Sequence, residues 1–496
     1  MDDDQLEQDP QPPREPSDWR EGELEQDPQP RGDPPVKHGF RSSVRDAFRG
    51  TNEDFTTGSL NRGVLLLALP MVLEMAGESL FVVVDAFFVG RLGADALAAL
   101  GLTETFLMIV YSVAAGVAMS TTALVARRIG EKDEHGAATS AVQAIIVGLS
   151  IAAVLGITGA IAAPWLLAAM GGDAEVVRVG APFARIQLGG MVVIILLFIN
   201  NAIFRGAGDA TMAMRSVWLA NGINIILDPM LIFGIGPFPE LGLMGAAVAT
   251  TTGRGIGVCY QLWSLSRGKR IRIAREDLKI HKDVILNLLK VSRGGVGQML
   301  VSQVSYIGSI RILASFGSIV LAGYVLAIRI VIFVILPAWG LANAAATLVG
   351  QNLGAGRPER SEKAVYVTGM WNMGFMTVIT IVFVTFAPQI MSIFAPDPAT
   401  LEVGTRALRI ISYGYVFYAW GMVTIQAFNG AGDTATPTWI NIGVFWFFQL
   451  PLAYVLGIVL GVGEDGVFWS FAIAYSLSAM VGLALFKRGR WKEKVV

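Results

Sequence analysis

The sequence predicts an all-α integral membrane protein whose twelve transmembrane helices form two pseudo-symmetric six-helix bundles. Hydrophobic residues make up 53% of the 496 residues, charged residues only 16%, and the mean hydropathy is +0.56. A water-soluble protein needs more charge than this to cover its surface, so most of the chain is expected to lie in lipid. Two bundles are predicted because corresponding residues of the two halves lie 224 positions apart.

Twelve apolar runs are each long enough to cross a bilayer, for which a helix needs roughly 20 residues. They lie at about 64–90, 97–127, 137–162, 180–204, 211–235, 243–265, 284–313, 320–349, 361–387, 404–428, 436–460 and 465–486. Because the number of spans is even, both termini are expected on the same side of the membrane.

The repeat is clearest at two glycine-rich turns, 204–209 and 428–433, which read Phe-Arg-Gly-Ala-Gly-Asp and Phe-Asn-Gly-Ala-Gly-Asp. The same offset pairs Gly116 with Gly340. Each turn follows a predicted membrane helix rather than a strand, which argues against a phosphate-binding loop. We expect the aspartate that ends each turn to cap the next helix.

Charge and hydropathy divide the chain into five segments. An acidic, proline-rich tail with a basic juxtamembrane part (1–59) precedes the first bundle (60–266), a basic linker (267–283) leads to the second bundle (284–487), and a basic tail (488–496) follows. Up to residue 36 the first tail carries twelve Asp or Glu against three Arg. Such a composition cannot bury enough apolar surface to fold, so this part is expected to be disordered.

Basic residues mark the expected cytoplasmic side of the membrane. The segment from Arg267 to Lys290 holds eight Lys or Arg, and the C-terminal tail is also basic, whereas the loops expected on the other side are short or acidic. Lys and Arg concentrate on the cytoplasmic side of membrane proteins. The sequence therefore predicts a multi-pass protein of the cell membrane with both termini in the cytoplasm.

Three carboxylates share one face of the first predicted span. At 100° per residue, Glu78 lies about 40° from Glu74 around the helix, and Asp85 lies about 20° from it. An ionised carboxylate at the bilayer centre costs at least about 2.5–3.5 kcal/mol, so this face must contact protein or water. Asp85 and Glu78 are the stronger candidates for uptake of a coupling cation, because Glu74 lies nearer to the cytoplasmic end.

The fifth predicted span carries a second polar set. Asn224 and Asp228 are four residues apart and therefore on one helical face, and Pro229 removes a backbone donor beside them. Carboxylate, amide and freed carbonyl oxygens are ligands that a small hard cation prefers. These residues therefore predict a site for a small cation or a proton.

The second copy of the repeat lacks these acids. The three acids of the first span are replaced by Gln298, Ser302 and Ser309. The positions that match Asn224 and Asp228 hold Phe448 and Leu452, although a gap of one residue would place Gln449 there. The coupling site is therefore predicted in the N-terminal half alone.

Other polar and aromatic residues within the spans are candidates for a substrate cavity: Glu74, Gln298, Tyr306, Arg329 and Trp339. Arg329 either pairs with an acid across the cavity or extends to the membrane edge. Aromatic rings bind flat organic cations through cation–π contact, which makes Tyr306 and Trp339 candidate contacts for such a substrate.

Over about residues 60–486 the chain resembles the multidrug and toxic compound extrusion (MATE) family. The resemblance rests on the stretch 84–94, on the two glycine-rich turns, and on 337–341 followed by 349–356. It implies two six-helix bundles around a V-shaped cavity. It also implies export of organic cations and drugs in exchange for H⁺ or Na⁺.

The resemblance extends to the coupling site of one prokaryotic branch of the family. That branch has an Asp on the first helix and an Asn and an Asp on the fifth, which Asp85, Asn224 and Asp228 match. It implies that the first helix bends at Pro70. It also implies that a threonine of the sixth helix completes the site; the candidates are Thr250, Thr251 and Thr252, of which Thr251 is placed in the site.

The sequence thus predicts a secondary active antiporter that works by alternating access. We expect no enzymatic activity, no cofactor apart from the coupling ion, small organic cations and the lipid bilayer as partners, no nucleic acid, and a monomer. A related alternative is a lipid-linked oligosaccharide flippase, which would use basic cavity residues such as Arg293 and Arg329 for a pyrophosphate. A membrane scaffold that transports nothing would account for the acidic tail but not for the buried acids.

Overall fold

The computed structural model describes residues 39–50, 53–268, 270–395 and 397–494. Every regular element in these ranges is a helix. All twelve predicted spans lie within them, whereas the acidic segment at 1–36, for which disorder is expected, lies outside the described residues.

The first half of the chain forms eight helices. They are α1 (Phe40–Arg49), α2 (Leu60–Gly90), α3 (Ala94–Gly130), α4 (Glu134–Ala169), α5 (Ala174–Gly189), α6 (Met191–Ala207), α7 (Ala210–Phe233) and α8 (Leu243–Arg267). Three of them begin with a capping aspartate: the side chains of Asp133, Asp173 and Asp209 accept hydrogen bonds from backbone amides of the first turn. The predicted cap at Asp209 is therefore confirmed.

The second half forms the remaining helices. They are α9 (Lys282–Ala314), α10 (Ser318–Gly354), α11 (Pro358–Ser392), α12 (Pro398–Ser412), α13 (Tyr415–Gly430), α14 (Ala435–Asn441), α15 (Leu450–Tyr454) and α16 (Glu464–Lys487), with π-helical segments at Ile442–Gln449 and Val455–Val459. Asp433 does not copy the cap of Asp209. Its side chain accepts a hydrogen bond from Thr436 Oγ1 at 2.7 Å, and α14 begins after Thr434, so the predicted cap is wrong there.

Twelve helical units account for the twelve predicted spans. The fourth is α5 and α6, interrupted at Gly190; the tenth is α12 and α13; the eleventh is α14, α15 and the two π segments. In the described ranges, nine units are long and apolar enough to cross a membrane by length and composition. The other three, α8, α9 and α12–α13, carry more polar and charged residues. The prediction of an all-α membrane fold with two bundles of six is confirmed.

The two halves repeat one another in backbone conformation as well as in sequence. Left-handed backbone recurs at the same offset in three pairs: Gly93 and Gly317 (φ 105° and 109°), Gly208 and Gly432 (both 83°), and Lys132 and Gly356 (62° and 69°). Lys132 is the one non-glycine residue with a positive φ among the residues that the structure describes. The offset in the sequence therefore reflects one backbone built twice.

The two bundles, called the N-lobe (α2–α8) and the C-lobe (α9–α16), meet through contacts that obey the same two-fold relation. Gly340 of α10 lies against Val72 of α2, and Gly116 of α3 lies against Val296 of α9. A Cβ on Gly340 would lie 2.9 Å from the nitrogen of Val72, and a Cβ on Gly116 would lie 2.8 Å from Cα of Val296. The glycines of the repeat thus permit the close approach of the lobes.

The lobes also meet at the end of the bundle where α3 and α10 finish, called the basic end. Gly130 lies against Gln351 there, and Gly354 lies against Arg127, which is again a pair of contacts related by the repeat. Gln351 Nε2 donates to the carbonyl of Gly206 at 2.9 Å. The cross-lobe contacts therefore continue along α3 and α10 as far as the basic end.

A short segment before α2, residues 53–58, contacts both lobes at the basic end. Asp54 Oδ2 lies 2.6 Å from Nζ of Lys132, in the N-lobe. Arg357 Nη1, in the C-lobe, donates to the carbonyl oxygen of Thr56 at 2.8 Å. The segment therefore ties the lobes together in this conformation.

Candidate functional site

Glu74 is buried within the N-lobe. Its Oε1 accepts hydrogen bonds from Asn201 Nδ2 at 3.0 Å and from Arg205 Nη1 at 3.1 Å, both on α6. Its other oxygen has no partner among the described residues. Glu74 is 1% exposed and forms an ion pair with Arg205, which lines the cavity between the lobes. Glu74 itself does not line that cavity, so its predicted role as a cavity residue is wrong.

Glu78 faces a buried arginine that the sequence reasoning overlooked. Arg254 of α8 is 4% exposed, and its Nη2 lies 3.7 Å from Oε2 of Glu78. Its Nη1 donates to the hydroxyl of Tyr111 at 3.2 Å, and its guanidinium lies 5.0 Å from the centroid of the Phe81 ring. The sequence contains a signal for this pair, because Arg254 lies within the sixth apolar run and a charge at that depth requires a partner.

The polar set of the fifth span forms a compact cluster between α7 and α8. Asn224 Nδ2 donates to Oδ1 of Asp228 at 3.3 Å and to Oγ1 of Thr250 at 3.1 Å. Asn224, Asp228 and Thr250 are 1%, 0% and 4% exposed. Of the three candidate threonines, Thr250 is the one that contacts Asn224. Thr251 does not join this cluster but packs beside Gly190, at the interruption between α5 and α6.

Asp85 completes an arrangement of oxygen atoms that lack hydrogen-bond donors. Asp85 Oδ1, Asn224 Oδ1 and Asp228 Oδ2 are buried and have no partner in the described part of the chain. Asp85 and Asp228 are near enough to interact electrostatically. Carboxylate and amide oxygens fit H⁺ or a hard cation such as Na⁺. In the described ranges, no group of three or more His, Cys, Asp or Glu residues could hold a metal ion, so the fit rests on this mixed set of oxygens.

A further acid that was not singled out from the sequence, Glu104 of α3, lies between the lobes. It interacts electrostatically with Asp85 of the N-lobe and with Arg329 of the C-lobe. Arg329 also interacts with Tyr306 of α9. Of the two roles left open for Arg329, the structure favours interaction with an acid across the space between the lobes.

A cavity of about 410 Å³ lies between the lobes, on the side of Arg205 and Trp339. Its polar walls are formed by Thr122, Arg205, Gln298, Ser302, Asn343, Gln426, Asn429 and Asn441. Of the predicted cavity residues, Gln298 and Trp339 line it. Tyr306 and Arg329 do not line it, because they lie eight and ten residues along their helices from Gln298 and Trp339, about 12 and 15 Å away.

Pro70, predicted as the bending point of the first helix, lies inside α2, which is continuous from Leu60 to Gly90. Proline has no N–H, so the carbonyl of Leu66 lacks its usual helical donor. The next residue, Met71, lies against Gly340 of the other lobe. The missing helical hydrogen bond of α2 therefore lies next to the interface between the lobes. Bending at Pro70 stays a prediction.

The C-lobe holds an uncharged copy of the acid cluster. Ser309, which corresponds to Asp85, accepts a hydrogen bond from Gln449 Nε2 at 3.2 Å, and both residues are buried. Gln449 therefore takes the place of the fifth-span polar residues, as a gap of one residue in the repeat predicts. This pair satisfies the positions without any charge.

Comparison with known proteins agrees with the duplicated fold. The MatE family model matches residues 70–230 and again residues 296–455, one match in each lobe. These two matches together span most of the chain between α2 and the eleventh span.

Individual relatives match more than four fifths of this chain. The probable multidrug resistance protein YoeA of Bacillus subtilis is 26% identical over 444 residues, which are 88% of this chain and 96% of that protein. An FAD transporter of Shewanella oneidensis is 26% identical over 409 residues, 82% of this chain and 89% of that protein. A solved structure described as the outward-facing conformation of a multidrug resistance MATE family transporter of the MOP superfamily shares 27% identity at a TM-score of 0.83, over 88% of this chain and 97% of that one. The chain belongs to the MatE family of membrane transporters.

Proposed function

We propose that this protein is a secondary active antiporter of the cell membrane that exports small organic molecules, organic cations among them, in exchange for H⁺ or Na⁺. One observation carries the proposal: three buried side-chain oxygens of the N-lobe, on Asp85, Asn224 and Asp228, have no donor in the described residues. A buried oxygen without a donor is unfavourable, and uptake of a proton or a cation among these oxygens relieves that cost.

The difference between the lobes supports a coupling role for this cluster. If the acids served only to hold the fold together, the C-lobe would need them as well. It builds the equivalent position from Ser309 and Gln449, which satisfy one another without charge. The acids are therefore an addition to the scaffold, as a coupling site would be.

The proposed cycle uses the contacts between the lobes. The lobes meet at the basic end, and its Lys and Arg residues support a cytoplasmic location for that end. In the proposed cycle this conformation is the one open to the outside. Uptake of the coupling ion at Asp85 and Asp228 removes charge from the α2–α7 interface and favours release of the cargo. A ligand shifts such an equilibrium only by binding one state more tightly than the other, so ion and cargo must prefer opposite states.

A flippase for lipid-linked oligosaccharides is less well supported. A pyrophosphate calls for unpaired basic groups in the cavity. Among the described residues that line the cavity, Arg205 is the one charged side chain, and Glu74 is already ion-paired with it at 3.1 Å. Names of relatives do not decide the cargo, because they include both a multidrug resistance protein and an FAD transporter.

The test is export of the fluorescent cation ethidium from proteoliposomes under a proton or a sodium gradient, applied separately. We expect one of the two gradients to drive export by the wild type, and Asp228→Asn to abolish the response to that gradient. The matched control is Glu240→Gln, an exposed acid in the loop between α7 and α8, which should leave export unchanged. Gradient-driven export by Asp228→Asn at the wild-type rate would refute the coupling role.

A further inference from the structure

Five carboxamide side chains of the C-lobe surround one side of the cavity. Gln298 lies on α9, Asn343 on α10, Gln426 and Asn429 on α13, and Asn441 at the end of α14. These five residues are called the carboxamide cluster. All but Asn343 are at most 5% exposed.

The cluster does not satisfy its own hydrogen bonds. Gln426 Nε2 donates to Asn343 Oδ1, and Asn429 Nδ2 donates to Gln426 Oε1 at 3.0 Å. After these hydrogen bonds, Oδ1 of Asn429 still has no partner in the described ranges, and the same holds for Oδ1 of Asn441. The cluster therefore holds buried acceptors without donors in residues that line the cavity.

Gln298 is the least satisfied member of the cluster. It is 0% exposed, and neither its amide nitrogen nor its amide oxygen has a partner among the residues that the structure describes. Burying an amide without a hydrogen-bond partner is unfavourable, so such a group in a cavity wall indicates a ligand that supplies both a donor and an acceptor.

The other lobe shows that the fold does not require these carboxamides. At the positions 224 residues earlier, Gln298 and Asn429 correspond to Glu74 and Arg205, which form an ion pair with each other. The other three members correspond to Met119, Ala202 and Val217. The cluster is thus a property of the C-lobe cavity and not of the repeated scaffold.

The backbone beside the cluster also departs from the repeat. The π-helical segment Ile442–Gln449 begins immediately after Asn441, whereas the corresponding part of the N-lobe, α7, is regular α-helix. Such segments are rare and are frequently found at functional sites. This one carries Phe445 into the cavity wall, where Trp339 provides a second aromatic surface.

We propose that the carboxamide cluster recognises the uncharged donor–acceptor edge of a planar cargo, such as a cyclic amide or a purine-like ring. A carboxamide pairs with such an edge through one donated and one accepted hydrogen bond, as Asn and Gln do with adenine. The aromatic walls contact the ring faces, and a cavity of about 410 Å³ is in the range that small molecules occupy. This inference rests on the proposed function, because cargo must enter this cavity.

The test compares the binding of two neutral planar compounds to the purified protein without any ion gradient. 2-Quinolinone has a free lactam N–H and C=O, whereas N-methyl-2-quinolinone has the same rings with the donor blocked. We expect the wild type to bind 2-quinolinone about fivefold more tightly or better, the effect of one neutral hydrogen bond. Gln298→Met and Asn441→Leu should each reduce this preference, and Gln389→Met, an exposed glutamine of α11, should retain it.

The unfolding temperature distinguishes a role of Gln298 in binding cargo from a role in stabilising the fold. Since the side-chain amide of Gln298 makes no hydrogen bond within the described residues, Gln298→Met should unfold at the same temperature as the wild type or a higher one. Equal binding of the two quinolinones by the wild type, or an unchanged preference in Gln298→Met, would overturn the inference. Neither result affects gradient-driven ethidium export, so failure of this inference is distinguishable from failure of the proposed function.

Discussion

Arg254 lies 3.7 Å from Glu78, across the contact between α8 and α2, and is itself 4% exposed. This buried cation also interacts electrostatically with Asp85. The acidic face of α2 is therefore partly neutralised by the sixth span, while one oxygen each of Asp85 and Asp228 lacks a donor in the described residues.

Replacing Arg254 with Met should destabilise the protein by on the order of 3 kcal/mol, because it leaves the Glu78 carboxylate without its cation. Adding Glu78→Gln in the same chain should recover a large part of that loss. Thermal unfolding of the two single variants and the double variant gives the coupling energy of the pair. Additive effects of the two substitutions would contradict the interaction.

Thr250 and Thr251 offer an adjacent pair for testing the coupling site. Thr250→Val removes the hydroxyl that accepts from Asn224, so the apparent affinity for the coupling ion should fall about fivefold. Thr251→Val has the same change of shape, but its hydroxyl lies outside the cluster, so the affinity should stay at the wild-type value. The measurement is the ion concentration that gives half-maximal export; a larger effect for Thr251→Val would refute the assignment.

Asp54 should stabilise the folded protein near neutral pH, and this contribution should be lost at low pH. Burial raises the pKa of its carboxyl, but hydrogen bonds from Lys132 and Thr56 outweigh it and lower the pKa from 3.8 to about 2. A carboxyl with a lowered pKa stabilises the folded state above its unfolded pKa, and the contribution is lost as the pH falls through the folded pKa. The wild type should unfold at a higher temperature than Asp54→Asn at pH 5, and the difference should shrink between about pH 4 and pH 2. A difference that is constant over this range would contradict the prediction.

Lys132 carries a backbone strain that its counterpart, Gly356, avoids. Its φ of 62° disfavours a side chain, so Lys132→Gly should relieve about 1 kcal/mol. The same substitution removes the contact with Asp54, which hides part of the gain. In an Asp54→Asn background the full gain should appear in thermal unfolding, and a loss of stability in that background would show that the strain is not released.

A side chain at Gly340 should disfavour contact between the lobes. Its Cβ would overlap the backbone at Met71 and Val72, and overpacking of this kind costs about 1–3 kcal/mol. Gly340→Ala should therefore lengthen the mean distance between the lobes at the basic end. Gly222→Ala is the matched control, since no described atom lies within 4 Å of a Cβ there.

That distance is measurable with spin labels. Glu134 of the N-lobe and Glu359 of the C-lobe are exposed at the basic end and can be replaced by cysteine in a Cys259→Ser background. An unchanged distance distribution in Gly340→Ala would show that the glycine is not needed for closure.

The duplicated helical fold could be predicted because it depends on local properties of the chain. The length of each apolar run sets whether a helix crosses the membrane, and the 3.6-residue period sets which side chains share its face. The grouping of Asn224 with Asp228 follows from that period alone. Interruptions such as Gly190, and the π segment at 442–449, could not be predicted, since they depend on how neighbouring helices pack.

The partner of each polar face was decided by tertiary packing. Thr250, Thr251 and Thr252 are consecutive, and the rotation of α8 against α7 selects Thr250, because Gly253 allows contact at a point where a Cβ would lie 2.6 Å from the carbonyl oxygen of Ala220. The pairing of Arg254 with Glu78 depends on the same rotation.

The sequence by itself determined the number of spans, the repeat and the acids of one helical face. Only the tertiary structure decided that Glu74 pairs with Arg205, that Tyr306 and Arg329 lie away from the cavity, and that a carboxamide cluster lines it. The reason is physical: periodicity orients a side chain about its own helix axis. Its depth and its neighbours depend on contacts between helices far apart in the chain.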